Sequence, residues 1–148
     1  MPASDSFETS LLTLMFVNTL ITAFAGTSTG GDLPPSTSDQ TLTFALHTAT
    51  PGEAGTQLTN ECDYTDYART TVARGAAQWT VSGGTVDNDN AISFTVAGAT
   101  TADSVTFFSI GSGVSNVMHI YGAVVPTLVV NEGVTPSFAA GALDISVT

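Results

Sequence analysis

No lysine occurs anywhere in this chain of 148 residues. Arg69 and Arg74 are its only permanent positive charges, set against thirteen carboxylates, and the formal net charge is −11. A surface so poor in cations has almost nothing with which to displace counterions from a phosphate backbone. Nucleic acid is thereby excluded as a partner. An anionic membrane surface repels such a chain for the same reason. The charge keeps a module in solution and discourages random association. It also suits a salty milieu, where self-repulsion is screened. Cysteine is almost as scarce. Cys62 stands alone, so no internal disulfide forms and none is required. A domain of this length hides roughly 70% of its unfolded surface in a core. With no base beside it in sequence, Cys62 reads as a small apolar filler rather than a nucleophile.

The groups that do chemistry are scarce or misplaced. His47 and His119 are the only histidines. Each lies in an apolar strand pattern without metal-ligand spacing, so each reads as a hydrogen-bonded structural histidine. Gly26-Thr27-Ser28-Thr29-Gly30 spells G-x-S-x-G. A nucleophile elbow needs a strand before it and a helix after it. This one follows a helical pattern and precedes Pro34-Pro35. Asp87-Asn88-Asp89-Asn90 offers oxygen ligands of the kind calcium takes, without the glycine and distant glutamate of an EF-hand loop. Such Asx-rich turns commonly bond their own backbone instead. No catalytic, cofactor-binding or metal-binding residue is expected, nor a small-molecule substrate. The chain reads as no enzyme.

What is present is threonine, glycine and β-branched or aromatic residues, a strand-forming composition broken by turn signals every eight to twelve residues. The chain reads as mainly β: an antiparallel β-sandwich or barrel of about eight short strands, preceded by an N-terminal helix and flexible arm. Residues 1–40 form the arm and 41–148 the sandwich domain. The helix is predicted over Phe7–Ala25, with Asp5 as cap and Glu8 completing a capping box. Its polar side moves from Ser6, Thr9, Ser10 and Thr13 to the opposite side at Asn18, Thr19 and Thr22. The helix therefore breaks near Asn18, or touches two surfaces. Asp5 and Glu8 stand where a signal peptide wants bases, and the polar residues in the run make a membrane span marginal. Residues 26–40 read as a linker. Thr41–His47 alternates as a half-buried strand with Leu42, Phe44 and Leu46 off one face. Tyr64–Arg74 reads as a strand or strand pair. Gln78–Val81 and Thr85–Val86 flank a tight turn at Ser82-Gly83-Gly84. Further strands are predicted at Ala91–Val96, Ser104–Ile110, Met118–Val124, Thr127–Val130 and Leu143–Val147.

Residues 44–83 carry the most distinctive run. It contains Leu46-His47-Thr48 with Pro51-Gly52-Glu53, then Asn60-Glu61 with Tyr64 and Tyr67-Ala68-Arg69, then Arg74 and Trp79. This run resembles a family of small tailed-phage virion structural proteins, often labelled phage tail fibre proteins. The closing Gly133–Phe138 and the N-terminal Phe7–Leu12 are similar to it as well. Cys62 departs from the pattern where an apolar residue is expected, and Asp66 where glycine is common. The resemblance implies a non-enzymatic virion structural protein. The preferred expectation is a capsid decoration (cement) protein on the outer head surface. Its partners are then the major capsid protein and copies of itself as a homotrimer. The alternative is a tail component, whether fibre, tube or tip. No heptads or fixed repeats mark a long fibre. A host- or carbohydrate-binding sandwich would want grouped exposed aromatics, and few aromatics are available. The candidate subunit or capsid interface residues are Phe7, Leu11, Phe16, Tyr64, Tyr67, Arg69 and Arg74. Each arginine is expected to pair with a carboxylate, either within the chain or across an interface, and Glu61, Asp63 and Asp66 are near in sequence. Trp79 is expected in the core.

Overall fold

A computed structural model of the chain describes residues 4–19, 41–99, 102–112 and 116–146. The expected linker at 26–40 with its G-x-S-x-G, the helical pattern at 20–25 and Val147 lie outside the described residues. The class is mainly β and sandwich-like, built from open antiparallel sheets, and none of them closes into a barrel. Contacts divide the chain into two compact units, each assembled from segments remote in sequence. One comprises Met1–Gln40, Ala73–Ala91 and Phe138–Thr148. The other comprises Thr41–Val72 and Ile92–Ser137.

In the first unit, helix α1 spans Asp5–Leu12 and widens into a π-helical turn over Thr13–Val17. Its N-cap is Ser4, not Asp5: the Ser4 hydroxyl accepts from the Phe7 N–H at 3.4 Å. Asp5 instead begins the first turn, where a carboxylate complements the exposed N–H groups. The helix stops at Asn18, which adopts a left-handed φ of 58°. The break expected from the shifting polar side is therefore observed, and asparagine is one of the few residues that tolerate this conformation. Leu12 and Phe16 point inward and are fully buried.

Beside the helix lies a three-stranded sheet, β3 (Trp79–Ser82), β4 (Thr85–Asn88) and β9 (Asp144–Ser146), in that order. Gly83 and Gly84 join β3 to β4 with φ of 58° and 79°. Two positive φ values in a two-residue loop match the twist of the hairpin strands, and glycine bears them without strain. Gly84 also donates to the Thr9 hydroxyl at 3.0 Å, tying the turn to the helix. Trp79 meets Phe16 edge-on with ring centroids 4.8 Å apart, and its indole N–H donates to the Ala73 carbonyl at 2.9 Å. Burying these large side chains contributes about 1.5–3 kcal/mol each. Asn88, also fully buried, knots the unit together. Its amide donates to the carbonyls of Asn90 and Ala139 and its oxygen accepts from the Leu143 N–H.

The second unit holds a four-stranded sheet in the order β2 (Thr70–Ala73), β1 (Thr41–His47), β6 (Asp103–Ser112), β7 (Met118–Val130). Strand β1 is more deeply buried than its alternation implies: Leu42 to His47 are all buried. Loop residues cover the face that the pattern assigns to solvent. Gln57 donates to the Thr43 carbonyl at 2.8 Å, and the His47 ring reaches the Thr59 carbonyl. The segments 118–124 and 127–130, read as two strands, form the single strand β7 through Pro126. Proline is tolerated in an edge strand, where its missing N–H costs no ladder bond. Opposite it, the β6 register shifts between Val105 and Phe107. Gly122 lets the Phe108 ring lie across β7, since a Cβ there would fall 2.8 Å from it.

The predicted strand at 64–74 shrinks to β2, because the chain turns on left-handed Asp66. The strand predicted at 91–96 reduces to β5 (Ile92–Ser93), which pairs with the unexpected β8 (Ser137–Phe138). No described helix is long and apolar enough to cross a membrane.

Candidate functional site

The segment from Asn60 to Arg69 gathers most of the polar and aromatic side chains that the sequence singles out. Asn60 starts it with a φ of 54°. Its amide donates to the Thr50 carbonyl at 2.9 Å, and its own carbonyl accepts from Thr48 N–H. Glu61 bridges back to His47 on β1, and the Cys62 N–H donates to the Leu46 carbonyl at 2.9 Å. The loop is thus stitched along β1 before the side chains are considered.

Glu61 is the hub of the site. Arg69 clamps it bidentately, with Nε to Oε1 at 2.6 Å and Nη2 to Oε2 at 2.7 Å. The third arm of the guanidinium, Nη1, donates to Asn116 Oδ1 at 2.9 Å. The Tyr67 hydroxyl donates to Glu61 Oε1 at 3.0 Å and accepts the Leu46 N–H at 3.0 Å. One carboxylate therefore joins the loop, β1 and the region before β7. The side chains of Arg69 and Glu61 are only 20% and 15% exposed, so this pair is better shielded than a surface ion pair. Hydrogen bonding to Glu61 holds the Arg69 guanidinium more firmly protonated than usual. Burial, and then the Glu61 carboxylate, push the Tyr67 phenol well above its ordinary range. It therefore acts as a fixed neutral donor.

Tyr64 is buried beside Tyr67, ring centroids 5.1 Å apart and inclined at 71°. Its hydroxyl donates to the Thr95 carbonyl at 3.1 Å. Asp103 Oδ2 accepts the N–H groups of both Asp63 and Tyr64, at 2.8 and 2.9 Å. Asp66 sits at φ 69°, which explains why glycine is common at its place in the pattern. Its carbonyl accepts from the Thr95 hydroxyl at 2.6 Å. Cys62 fills the apolar position expected there. It is buried, and burial pushes its thiol up to about 12. At neutral pH it is therefore a protonated thiol.

Residues 61–69 line an open hollow of about 630 Å³. Asp63, Thr65, Asp66 and Ala68 face solvent there, whereas Tyr64 does not. To solvent the hollow offers the carboxylates of Asp63 and Asp66 and the Thr65 hydroxyl. The clamp at Glu61 spends its donors internally, which is the behaviour of a loop lock.

Two other candidates were raised by the sequence. His47 lies fully buried, Nδ1 2.9 Å from the Thr59 carbonyl and Nε2 2.7 Å from the Ser109 hydroxyl. A carbonyl only accepts, so the Nδ1 proton is fixed and Ser109 donates to Nε2. Burial lowers the histidine below its ordinary value of 6.5. A Ser-His contact thus exists, and both residues have 0% exposure. His119 is exposed on β7. In the Asp87–Asn90 run, Asn88 and Asn90 are bonded to backbone carbonyls and Asp89 accepts from Thr80. Among the described residues no three His, Cys, Asp or Glu side chains are placed to hold a metal.

The seven interface candidates separate into two groups. Tyr64, Tyr67 and Arg69 meet in the Glu61 network. Phe7, Leu11, Phe16 and Arg74 belong to the first unit, where Phe7 is 37% exposed, Leu11 half-buried and Phe16 buried. Arg74 donates to the Met15 carbonyl at 2.7 Å and to the Leu14 carbonyl, closing the end of the π-helical turn. Sequence reasoning missed Asp103, Asn116, Ser109, Thr95 and Gln57. They act from far along the chain, and no local pattern marks them.

A family model described as Podophage GP4 fiber I protein gp80 matches residues 18–146. No curated protein matches the chain.

Proposed function

The chain belongs to the family of the Podophage GP4 fiber I protein gp80, a phage virion structural family, and from that membership we propose that it is a non-enzymatic component of a phage fibre carried on the tail. The match over residues 18–146 is the observation that carries this reading. It favours the tail alternative over the head-decoration role expected from sequence, because the family is described by a fibre protein.

The geometry supports a structural part. The distinctive motif residues are spent on fixing a loop and a helix end. The Ser-His contact is sealed from solvent, and the thiol is protonated and buried. Excess carboxylate on the outside suits a module that stays solvated on a particle surface.

Fractionation of purified virions tests the assignment. Particles are split into tailless heads and tails, and the chain is quantified in each by mass spectrometry. It is expected in the tail fraction. Retention on heads at full copy number would restore the decoration role.

A further inference from the structure

Strand β7 is a long sheet edge with unusual chemistry. The four-stranded sheet ends in β2 on one side and β7 on the other. Strand β2 has four residues, a length that gives little to pair with. Strand β7 has thirteen, in register with β6 at 118, 120–123 and 128–130. Among the described residues, only β6 pairs with it. Natural sheets guard such an edge with lysine, other charges, proline or bulges. Here charge, the commonest guard, is missing: His119 is the only ionisable side chain apart from Tyr121. Pro126 and two register shifts against β6 interrupt the row, leaving 120–123 and 128–130 as its regular stretches. Val125 is 88% exposed and Val129 50%, with Val117 47% exposed just ahead of the strand.

Charge identifies the occupant. From Ser104 to Asn131 the sequence holds no Asp, Glu, Lys or Arg, and Asp103 and Glu132 bound the gap. All thirteen carboxylates lie outside it. Two copies of a chain at −11 repel wherever their carboxylates approach. They have no lysine to offer each other, and Arg69 is already spent on Glu61. A basic partner would seek the acidic surface. The uncharged edge is the place where two such chains can meet without facing like charges, and it supplies backbone donors and acceptors together with apolar side chains.

We propose that the outer edge of β7 is a self-association edge, on which a second copy of this chain adds strand to strand. This goes beyond the fibre assignment and does not depend on where the particle carries the protein.

The test uses the full chain at tens of micromolar in physiological salt, with mass measured by sedimentation. The wild type is expected above its monomer mass of 15.1 kDa. Val125→Glu/Val129→Glu, which sets carboxylates along the edge at exposed positions, is expected to return it to 15.1 kDa. Leu58→Glu, at a 60% exposed loop position of the same unit, is expected to leave the assembly intact. In the wild type, the β7 amides directed away from β6 should exchange at least tenfold more slowly as concentration rises, a readout that needs no variant. A wild type that stays monomeric, an edge variant that keeps the wild-type mass, or β7 amides whose exchange ignores concentration would each overturn the proposal. Virion fractionation, by contrast, tests only the fibre assignment.

Discussion

Arg74 holds the Met15 carbonyl at 2.7 Å from 59 positions further along the chain. A helix end leaves its last carbonyls without partners, and a guanidinium supplies two donors and a favourable charge there at once. Five residues on, Trp79 receives the ring of Phe16. The spacing of Arg74 and Trp79 is thus a socket for the N-terminal helix. A helix of eight residues and one π turn is far too short to persist alone in water, and this socket is what holds it.

Two substitutions measure the socket. Phe16→Ala is expected to cost about 3–5 kcal/mol, the range for deleting a buried aromatic ring. Arg74→Ala should cost roughly 1.5–3 kcal/mol through its charged hydrogen bonds. Denaturant unfolding followed by tryptophan fluorescence reads both, because Trp79 reports on its own surroundings. Loss under about 0.5 kcal/mol, the scale of an ordinary surface change, would mean that the helix is not anchored this way.

A double-mutant cycle tests the loop lock. Glu61→Gln and Arg69→Gln each strand a charged partner in a shielded place and should each cost about 1.5–3 kcal/mol. The double variant should cost clearly less than their sum. Additive losses would show that the two side chains act separately.

Stability should depend on pH through His47. Burial keeps it neutral in the fold, with its pKa below the ordinary 6.5. The unfolded chain therefore binds more protons between the folded value and 6.5. In that window stability rises with pH. It is complete above about pH 6.5, falls as pH drops toward the folded value, and levels below it. Unfolding free energies measured between pH 7.5 and 5.5 should show this slope, and His47→Gln should flatten it. A slope unchanged in His47→Gln would assign the dependence to other groups.

Asp66 gives a test of backbone conformation. At φ 69° a β-branched side chain is a genuine outlier, so Asp66→Val should destabilise by about 1–2 kcal/mol. Asp66→Gly removes the Cβ and should be neutral or mildly stabilising. Thermal unfolding of the pair distinguishes them, and a glycine variant less stable than valine would contradict the turn geometry.

Periodicity carried what it could of this fold. The Thr41–His47 strand, the Gly83-Gly84 hairpin and the break at Asn18 were all legible, because each rests on a local alternation or a local backbone preference. The covering of the second face of β1 was not. It depends on Gln57, Thr59 and Ser109, which reach β1 only through tertiary folding. The 64–74 strand failed for a related reason: β-favouring tyrosines there serve hydrogen bonds to Glu61, Leu46 and Thr95, with Asp66 turning the chain between them. Of the site, the motif residues were visible as a set, and the Arg69 partner was among the carboxylates expected. Arg74 bonding to helix carbonyls was hidden, since backbone acceptors leave no mark in a sequence.

The role proposed for this chain is a structural one in a tail fibre. Electron microscopy of virions labelled with a gold-tagged antibody fragment against this chain addresses it most directly. Gold clustered on fibres at the tail, and absent after the fibres are sheared away, is the predicted result. Gold spread over the head surface, unchanged by shearing, would contradict the account.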